Sequence, residues 1–281
     1  MLIKRILRRI GFWIAMVLFA LFAIFPAAYM LISAFKQDGD LYNVANNPFL
    51  FNLPPTFKNI EFLFTETQYA TFLWNSFFIG LVVVIITLLL SVPAAYSLAR
   101  LGGRRGAQSG IAIFLVYLIP PTLLFIPLFQ LITTINAANT IWSLVLVYPT
   151  ITVPFCTWLL LGFFKSMPRE LEEAALIDGY SRWQAFLRVG LPLAGPGIAT
   201  CVVFAFALTL SDYIYAATFV SSTASRTISA GVPIVLISGD IYFWQALMAA
   251  TAIVTIPLAI AYGLLFGRLV KGFQTEPASG T

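Results

Sequence analysis

Four apolar runs dominate the chain: Ile10–Ser33, Thr67–Ala99, Val189–Ser211 and Ile241–Gly267, none of which contains a charge. Each is long enough for one helix across a bilayer, which takes about 20 apolar residues. A fifth stretch, Gly106–Phe164, is charge-free over 59 residues. That is enough for two helices and a turn, and the polar run from Thr133 to Thr140 supplies the turn. In lipid the backbone must satisfy its own hydrogen bonds, so only helices or a closed barrel can span. Barrel strands read as about 10 alternating residues, whereas these runs are continuous. The predicted fold is all-α: a polytopic integral membrane protein with six transmembrane helices, near 10–34, 71–99, 109–132, 140–164, 194–218 and 241–267. They form one domain, 1–281.

Prolines interrupt several of these spans. Pro120, Pro121 and Pro127 fall in the third, and Pro149 and Pro154 in the fourth. Each removes a backbone donor and bends a helix. The bends are structural kinks or pathway-lining features, and the pattern alone leaves both open. The segments between spans are polar. Residues 36–70 carry Asn47-Pro48 and Pro54-Pro55 and read as turn-rich. Residues 165–193 are an amphipathic island, and 219–240 form a further loop. The tail Thr275–Thr281 has the composition of an unstructured segment.

Composition agrees with this reading. The chain is 60% hydrophobic and 10% charged, where soluble domains carry about 25% charged residues. Its mean hydropathy is +0.93. The basic residues then orient it. With the N-terminus inside, the inner segments hold Lys4, Arg5, Arg8, Arg9, Arg100, Arg104, Arg105, Lys165, Arg169, Arg182, Arg188, Arg268 and Lys271, which is 13 of the 16 Lys and Arg. Only Lys36, Lys58 and Arg226 fall outside. Both termini are therefore expected in the cytoplasm, with loop 165–193 inside and loops 36–70 and 219–240 outside. The charge sits at helix ends, not on one folded face, which excludes nucleic-acid binding as the reason for a net charge of +5. The apolar run after Arg9 exceeds the roughly 7–15 residues of a signal peptide's core, so it is expected to be a retained span.

Candidate chemistry is sparse. There is no His, and Cys156 and Cys201 lie in separate spans, so no metal-ligand spacing exists and the thiols are expected to be buried and structural. No G-x-x-x-x-G-K-[ST] phosphate loop is present, so the chain is not expected to hydrolyse ATP by that route. Asp212 is the one carboxylate placed near a span interior. There a charge costs roughly 3 kcal/mol on insertion scales, so it faces a polar cavity, pairs, or sits at the outer interface. Tyr213 reads as part of an interfacial aromatic belt, and Tyr215 is open between that belt and a polar contact. No Lys or Arg falls within a span, which favours an uncharged solute over an anion.

The island 165–193 reads as a helix, a Gly turn and a second helix. Glu170, Glu172 and Glu173 favour a helix N-terminus. Leu171, Ala174 and Ala175 share a face, and Gly179 ends the helix. Ser181-Arg182-Trp183-Gln184 matches a capping box, followed by the apolar face Trp183, Phe186 and Leu187. Small alanines admit close approach of a partner, and Trp183 and Phe186 suit a partner's pocket. The same pattern suits a helix lying on lipid headgroups.

Glu173-Ala174-Ala175, three residues, Gly179, nine residues, Val189, one residue and Leu191-Pro192 resembles the E-A-A motif of ABC importer permeases, with Val189 where Ile is usual. The chain is similar to the carbohydrate-uptake, maltose-type branch over nearly its whole length, through Leu31–Lys36, Asn75-Ser76 and Leu269–Gly272. The resemblance implies one permease subunit of an ATP-driven importer in a bacterial or archaeal cell membrane. Its partners would be a second permease subunit, two ATPase subunits that carry ATP and Mg, an extracytoplasmic substrate-binding protein, membrane lipid and a sugar or oligosaccharide. The chain itself would bind no cofactor. The island would be a coupling helix, with Glu173, Ala174, Ala175, Asp178, Gly179, Trp183, Phe186, Leu191 and Pro192 seated on an ATPase subunit. Asn75, Asp212 and Tyr215 are the pathway candidates. Leu210-Ser211-Asp212 departs from the family's aromatic-Asn-acid pattern. The competing expectations are an ion-coupled secondary transporter, a permease for another small solute such as a glycerol phosphate ester, and a membrane scaffold.

Overall fold

The computed structural model describes residues 2–239 and 241–273, and most of these are helical. The tail Thr275–Thr281 lies outside the described residues. The first helix, α1 (Leu2–Ala34), leads into a short α2 (Asp38–Leu41) and α3 (Lys58–Thr65). The long α4 (Tyr69–Arg100) follows, and then α5 (Gly103–Tyr117) and α6 (Pro121–Thr134). α7 (Ile141–Val147) runs into α8 (Pro149–Ser166). The island forms α9 (Glu170–Ile177), α10 (Arg182–Ala185), a π-helical turn over Phe186–Gly190 and α11 (Leu191–Leu193). After α12 (Gly195–Ser211) come α13 (Ile214–Phe219), a 3₁₀ turn at Thr223–Ser225 and α14 (Ile228–Leu236). A two-residue hairpin, β1 (Ile237–Ser238) with β2 (Ile241–Tyr242), precedes α15 (Trp244–Phe273).

Among the described residues, four helical stretches are long and apolar enough to cross a membrane: Arg8–Ala34, Tyr69–Arg100, Ile141–Ser166 and Trp244–Leu264. Two further pairs qualify only as bent units. Gln108–Tyr117 and Pro121–Thr134 meet at 86°, and Arg182–Leu193 and Gly195–Ser211 at 70°. The protein is therefore all-α and polytopic, with four clear spans and up to six if each bent pair is one span. The first bend has a local cause. The residue before a proline is pushed out of the helical region, and Pro120, which precedes Pro121, sits at φ −56°, ψ 127°. Pro121 then opens α6, where its missing N–H is no loss.

The chain divides into two compact units, one of residues up to Ala70 with Val232–Pro257, the other of Thr71–Gly231 with the chain from Leu258. In the first, a buried ion pair organises the loop after α1. Lys36 Nζ lies 3.5 Å from Asp40 Oδ1, both side chains being fully buried, and donates to the Asn47 carbonyl at 3.0 Å. Asn52 donates to Asp40 through its side chain at 2.7 Å and its backbone N–H at 3.1 Å. Asn59 Nδ2 donates to the carbonyls of Ala34 and Lys36, closing the orphan C-terminal end of α1.

In the second unit, one apolar cluster sits towards the island and joins α4, α8 and α12 through Val92, Ala95, Cys156, Leu160, Phe164 and Cys201. Both cysteines are free and buried. A second cluster at the other end gathers Ile79, Val83, Leu144, Tyr148, Tyr215 and Phe219. Between the two, the buried hydroxyls of Thr87 and Thr152 bond at 2.6 Å. Gly80 lets α4 meet α12 closely, since a Cβ there would stand 2.8 Å from the Phe206 ring.

Burial by itself would raise the Asp40 carboxyl, but the hydrogen bonds from Asn52 and Leu53 and the Lys36 ammonium outweigh it and hold it below its ordinary value. A depressed folded pKa stabilises above the ordinary carboxylate pKa of about 3.9 and is lost as pH falls through the folded value. Amide hydrogen-exchange protection over residues 37–53, relative to intrinsic rates, is therefore expected to be high at neutral pH and to fall in acid. Asp40→Asn should remove that pH dependence.

Candidate functional site

The island is built as a fixed hairpin. α9 ends in a Schellman arrangement: Tyr180 N–H donates to the Ala175 carbonyl at 3.0 Å and Gly179 N–H to that of Leu176 at 3.1 Å. Gly179 sits at φ +90°, a left-handed conformation open to glycine at little cost. Ser181 then starts α10 with a complete capping box: its hydroxyl accepts from Gln184 N–H, and Gln184 Oε1 accepts from Ser181 N–H at 2.9 Å. Arg188 stacks over the Tyr180 ring, 4.9 Å from its centroid, and ties the turn to the π-helical segment.

One carboxylate holds this hairpin to the spans. Glu172 accepts from Arg100 Nε at 2.8 Å and from Tyr96 Oη at 3.0 Å. Arg100 also donates to the Met167 carbonyl at 3.2 Å. The Arg100 and Glu172 side chains are 7% and 12% exposed. The end of α4 is thereby fastened to the first turn of α9. Tyr96 packs on Phe186 and Phe164, with ring centroids 4.5 and 5.4 Å away. A cleft of about 160 Å³ opens here, lined by Tyr96, Arg100, Glu172 and Arg182 among others.

The motif residues divide between two faces. Ala175 and Phe186 are buried and join the hairpin to the core. Leu191 is half-buried, and Pro192 is exposed just before the 70° bend. Glu173, Ala174, Asp178 and Gly179 are exposed, as are Trp183 at 62% and Ile177 at 86%. In the sequence Glu172 is one of three acids, with Glu170 and Glu173, that suit the first turn of α9 equally. Its signal was the helical position beside Tyr96 and Arg100, which appears only once α4 and α9 are folded together.

At the other end of the second unit the three pathway candidates are bonded internally. Asp212 Oδ2 accepts from Tyr148 Oη at 3.1 Å and from the backbone N–H groups of Tyr215 and Ala216 at 3.0 and 3.2 Å. It satisfies donors left free at the start of α13. Tyr215 Oη donates to the Pro121 carbonyl at 2.6 Å, at the 86° break. Ser229 Oγ donates to the Asp212 carbonyl at 2.6 Å. Asn75 Nδ2 donates to the carbonyls of Ala224 and Arg226. Tyr213 is exposed and Tyr215 buried. No cluster of His, Cys, Asp and Glu able to hold a metal occurs among the described residues.

Comparison with known proteins places these features in context. Residues 91–275 match a family described as binding-protein-dependent transport system inner membrane component. The chain is 34% identical over 258 residues to the sulfoquinovosyl glycerol transport system permease protein SmoH of Agrobacterium fabrum, covering 92% of this chain and 89% of that one. It is 30% identical over 262 residues to the diacetylchitobiose uptake system permease protein DasC of Streptomyces coelicolor, covering 92% of each. A chain from the crystal structure of a bacterial ABC transporter involved in the import of the acidic polysaccharide alginate shares the fold. That match has a TM-score of 0.77 at 20% identity and covers 92% of this chain and 96% of that one.

Removing one partner of a buried ion pair strands the other charge, at about 3 kcal/mol. Arg100→Ala should therefore lower the unfolding midpoint and expose residues 165–193 to protease. The apolar double variant Arg100→Met with Glu172→Met should recover most of the loss. Asp212→Ala leaves two N–H groups and a Tyr hydroxyl without an acceptor and should cost about 1–3 kcal/mol for each group left unpaired. Asp212→Asn, which keeps an acceptor oxygen, should cost less. Thermal unfolding in detergent measures both.

Proposed function

The chain belongs to the family of binding-protein-dependent transport system inner membrane components, and we propose that it forms half of the translocation pathway of an importer powered by separate ATPase subunits. The observation that carries the reading is the hairpin 165–193, rigid within, anchored by Glu172 and exposing a small-residue and aromatic face. A membrane span gains nothing from such a face, but a coupling element needs one. Its role is transport. ATP and Mg belong to the partner ATPase pair, and a second permease completes the pathway.

Its cargo is a sugar or oligosaccharide. The similarity to SmoH, named for sulfoquinovosyl glycerol transport, and to DasC, named for diacetylchitobiose uptake, supports this class. Counting each bent pair as one span supports six spans within a single permease domain, 1–281. The placing of 13 of 16 basic residues on one set of helix ends supports cytoplasmic termini in a multi-pass inner-membrane protein. An extracytoplasmic binding protein then delivers the sugar to the loops at 36–70 and 219–240.

In this mechanism ATP binding closes the ATPase pair beneath the hairpin. Glu173, Ala174, Asp178, Gly179 and Trp183 make the contact. Ala175, Phe186, Leu191 and Pro192 pass the movement on, because they join the hairpin to the core and to the bend before α12. Glu172 and Arg100 carry it to α4. Asn75, Asp212 and Tyr215 act on the pathway by holding its bends in place. Alternating access follows when the two permeases rock against each other around the cargo.

Glu173→Lys and Trp183→Ala, both at exposed positions, are expected to cut sugar uptake strongly while the protein inserts normally. ATP hydrolysis should become independent of sugar. Gly179→Pro should do the same by forcing φ near −65° where +90° is needed. Co-purification in mild detergent, followed by ATPase assay across a sugar panel, measures this. Wild-type uptake by all three variants would overturn the coupling role.

A further inference from the structure

Residues 41–57, in the first unit, carry no charged side chain. The charges on either side are Asp40, buried against Lys36, and Lys58, which is exposed. Within the segment Phe49, Leu50 and Phe51 stand exposed, Leu50 by 63%, as do Leu53 and Phe57. A contiguous apolar surface of this kind marks a contact with protein or membrane. Phe49 shows where the surface lies. Its ring packs on Phe25 and Tyr29 of α1, with centroids 5.7 and 6.0 Å away. At 1.5 Å per residue those two residues lie about 14 and 8 Å short of the helix's end at Ala34. α1 supplies one of the four clear spans, so the chain after it turns back along its own span instead of leaving into water.

The loop is bonded as such a position requires. Phe49 N–H donates to Asn47 Oδ1 at 2.8 Å, and Asn47 N–H to Asn52 Oδ1 at 3.3 Å. Asn52 Nδ2 donates to the carbonyls of Asn47 and Leu50 at 2.9 and 3.3 Å. Asn43 Oδ1 accepts from Ala45 N–H at 3.0 Å. Irregular backbone beside hydrocarbon survives only where the protein itself satisfies it. Here the asparagine amides bond within the loop, and Phe49, Leu50 and Phe51 supply its outward apolar surface.

We propose that residues 48–53 are a lipid anchor. The side chains of Phe49, Leu50 and Phe51 enter the acyl boundary of the leaflet at the C-terminal end of α1, and the bonded backbone stays at headgroup level. In the orientation proposed above this is the outer leaflet. A soluble binding protein cannot follow the segment to the depth of Phe25, and it docks on surfaces with a polar rim. A second permease would meet the loop inside the membrane, but contacts there are built from small residues that let backbones approach. This surface is two phenylalanines and a leucine. A sugar needs polar partners, and the amides nearby are already bonded. The Lys36–Asp40 pair braces the loop from the protein side, and lipid holds the other. The anchor is independent of what the importer carries and of how it is powered.

The test uses the full-length chain, alone and with its co-purifying partners, in phosphatidylcholine vesicles. A bimane label is placed at Leu50→Cys and, as the water-facing control, at Lys58→Cys. The chain's own two cysteines are buried. Phosphatidylcholine with a nitroxide high on its acyl chain quenches from the leaflet, and iodide quenches from water. The label at Leu50 should lose more fluorescence to the nitroxide lipid than to iodide, and the label at Lys58 the reverse, with and without partners. Phe51→Cys repeats the measurement where Leu50→Cys fails to insert. Iodide quenching at Leu50 as strong as at Lys58 would overturn the anchor and return the loop to water. Lipid quenching seen in the lone chain but lost with partners bound would overturn it in favour of a protein contact.

Discussion

The interaction on which the coupling reading depends is the Arg100–Glu172 pair. Without it, the hairpin is held to the core only by apolar contacts such as those of Ala175 and Phe186. With it, the last turn of α4 and the first turn of α9 share one buried carboxylate, closed by Tyr96 Oη. The exposed face carrying Ala174, Asp178 and Trp183 then has a fixed relation to the spans. In the proposed coupling role, that face is linked to α4 through a short charge-assisted contact and to α12 through Phe186 and the bend at Pro192. Buried ion pairs add little net stability, and their best-attested use is to specify one arrangement over others. That is what a transmitting element requires.

The other recurring device is the broken helix whose ends are closed by side chains. In lipid an orphan backbone group costs several kcal/mol, so irregular backbone survives only where protein satisfies it. The 86° break before α6 meets Tyr215 Oη at the Pro121 carbonyl. The start of α13 meets the Asp212 carboxylate. The segment before α14 meets Asn75. These three side chains build the far end of the second unit out of bends instead of straight spans. A transport pathway uses such bends because they bring polar backbone towards the interior while keeping it bonded.

Several of these features were legible in the amino-acid order. Gly179 and the Ser181–Gln184 capping box follow from local rules, since a cap needs only neighbours within a few residues. The bend at Pro120-Pro121 is equally local. The anchoring acid was not legible. Glu170, Glu172 and Glu173 are equivalent under any propensity argument, and only the approach of α4 selects Glu172. Phe186 and Trp183 looked alike as apolar residues of one short helix. Folding sends the first into the core, 4% exposed, and leaves the second 62% exposed. Asp212 read as a choice between cavity, partner and interface. Its partners turned out to be the donors of α13 and a tyrosine from the α7–α8 junction, 64 residues earlier in the chain.

By itself the sequence determined that this is an all-helical membrane protein, where its apolar segments lie, and the spacing that marks the hairpin. Those properties depend on hydrophobic run length and short-range backbone chemistry, which the order of residues carries directly. The tertiary structure alone decided how sharply each apolar segment bends and which acid anchors the hairpin. It also decided which aromatic residues remain exposed. Each of these is settled by groups far apart in the chain that meet only after the helices pack.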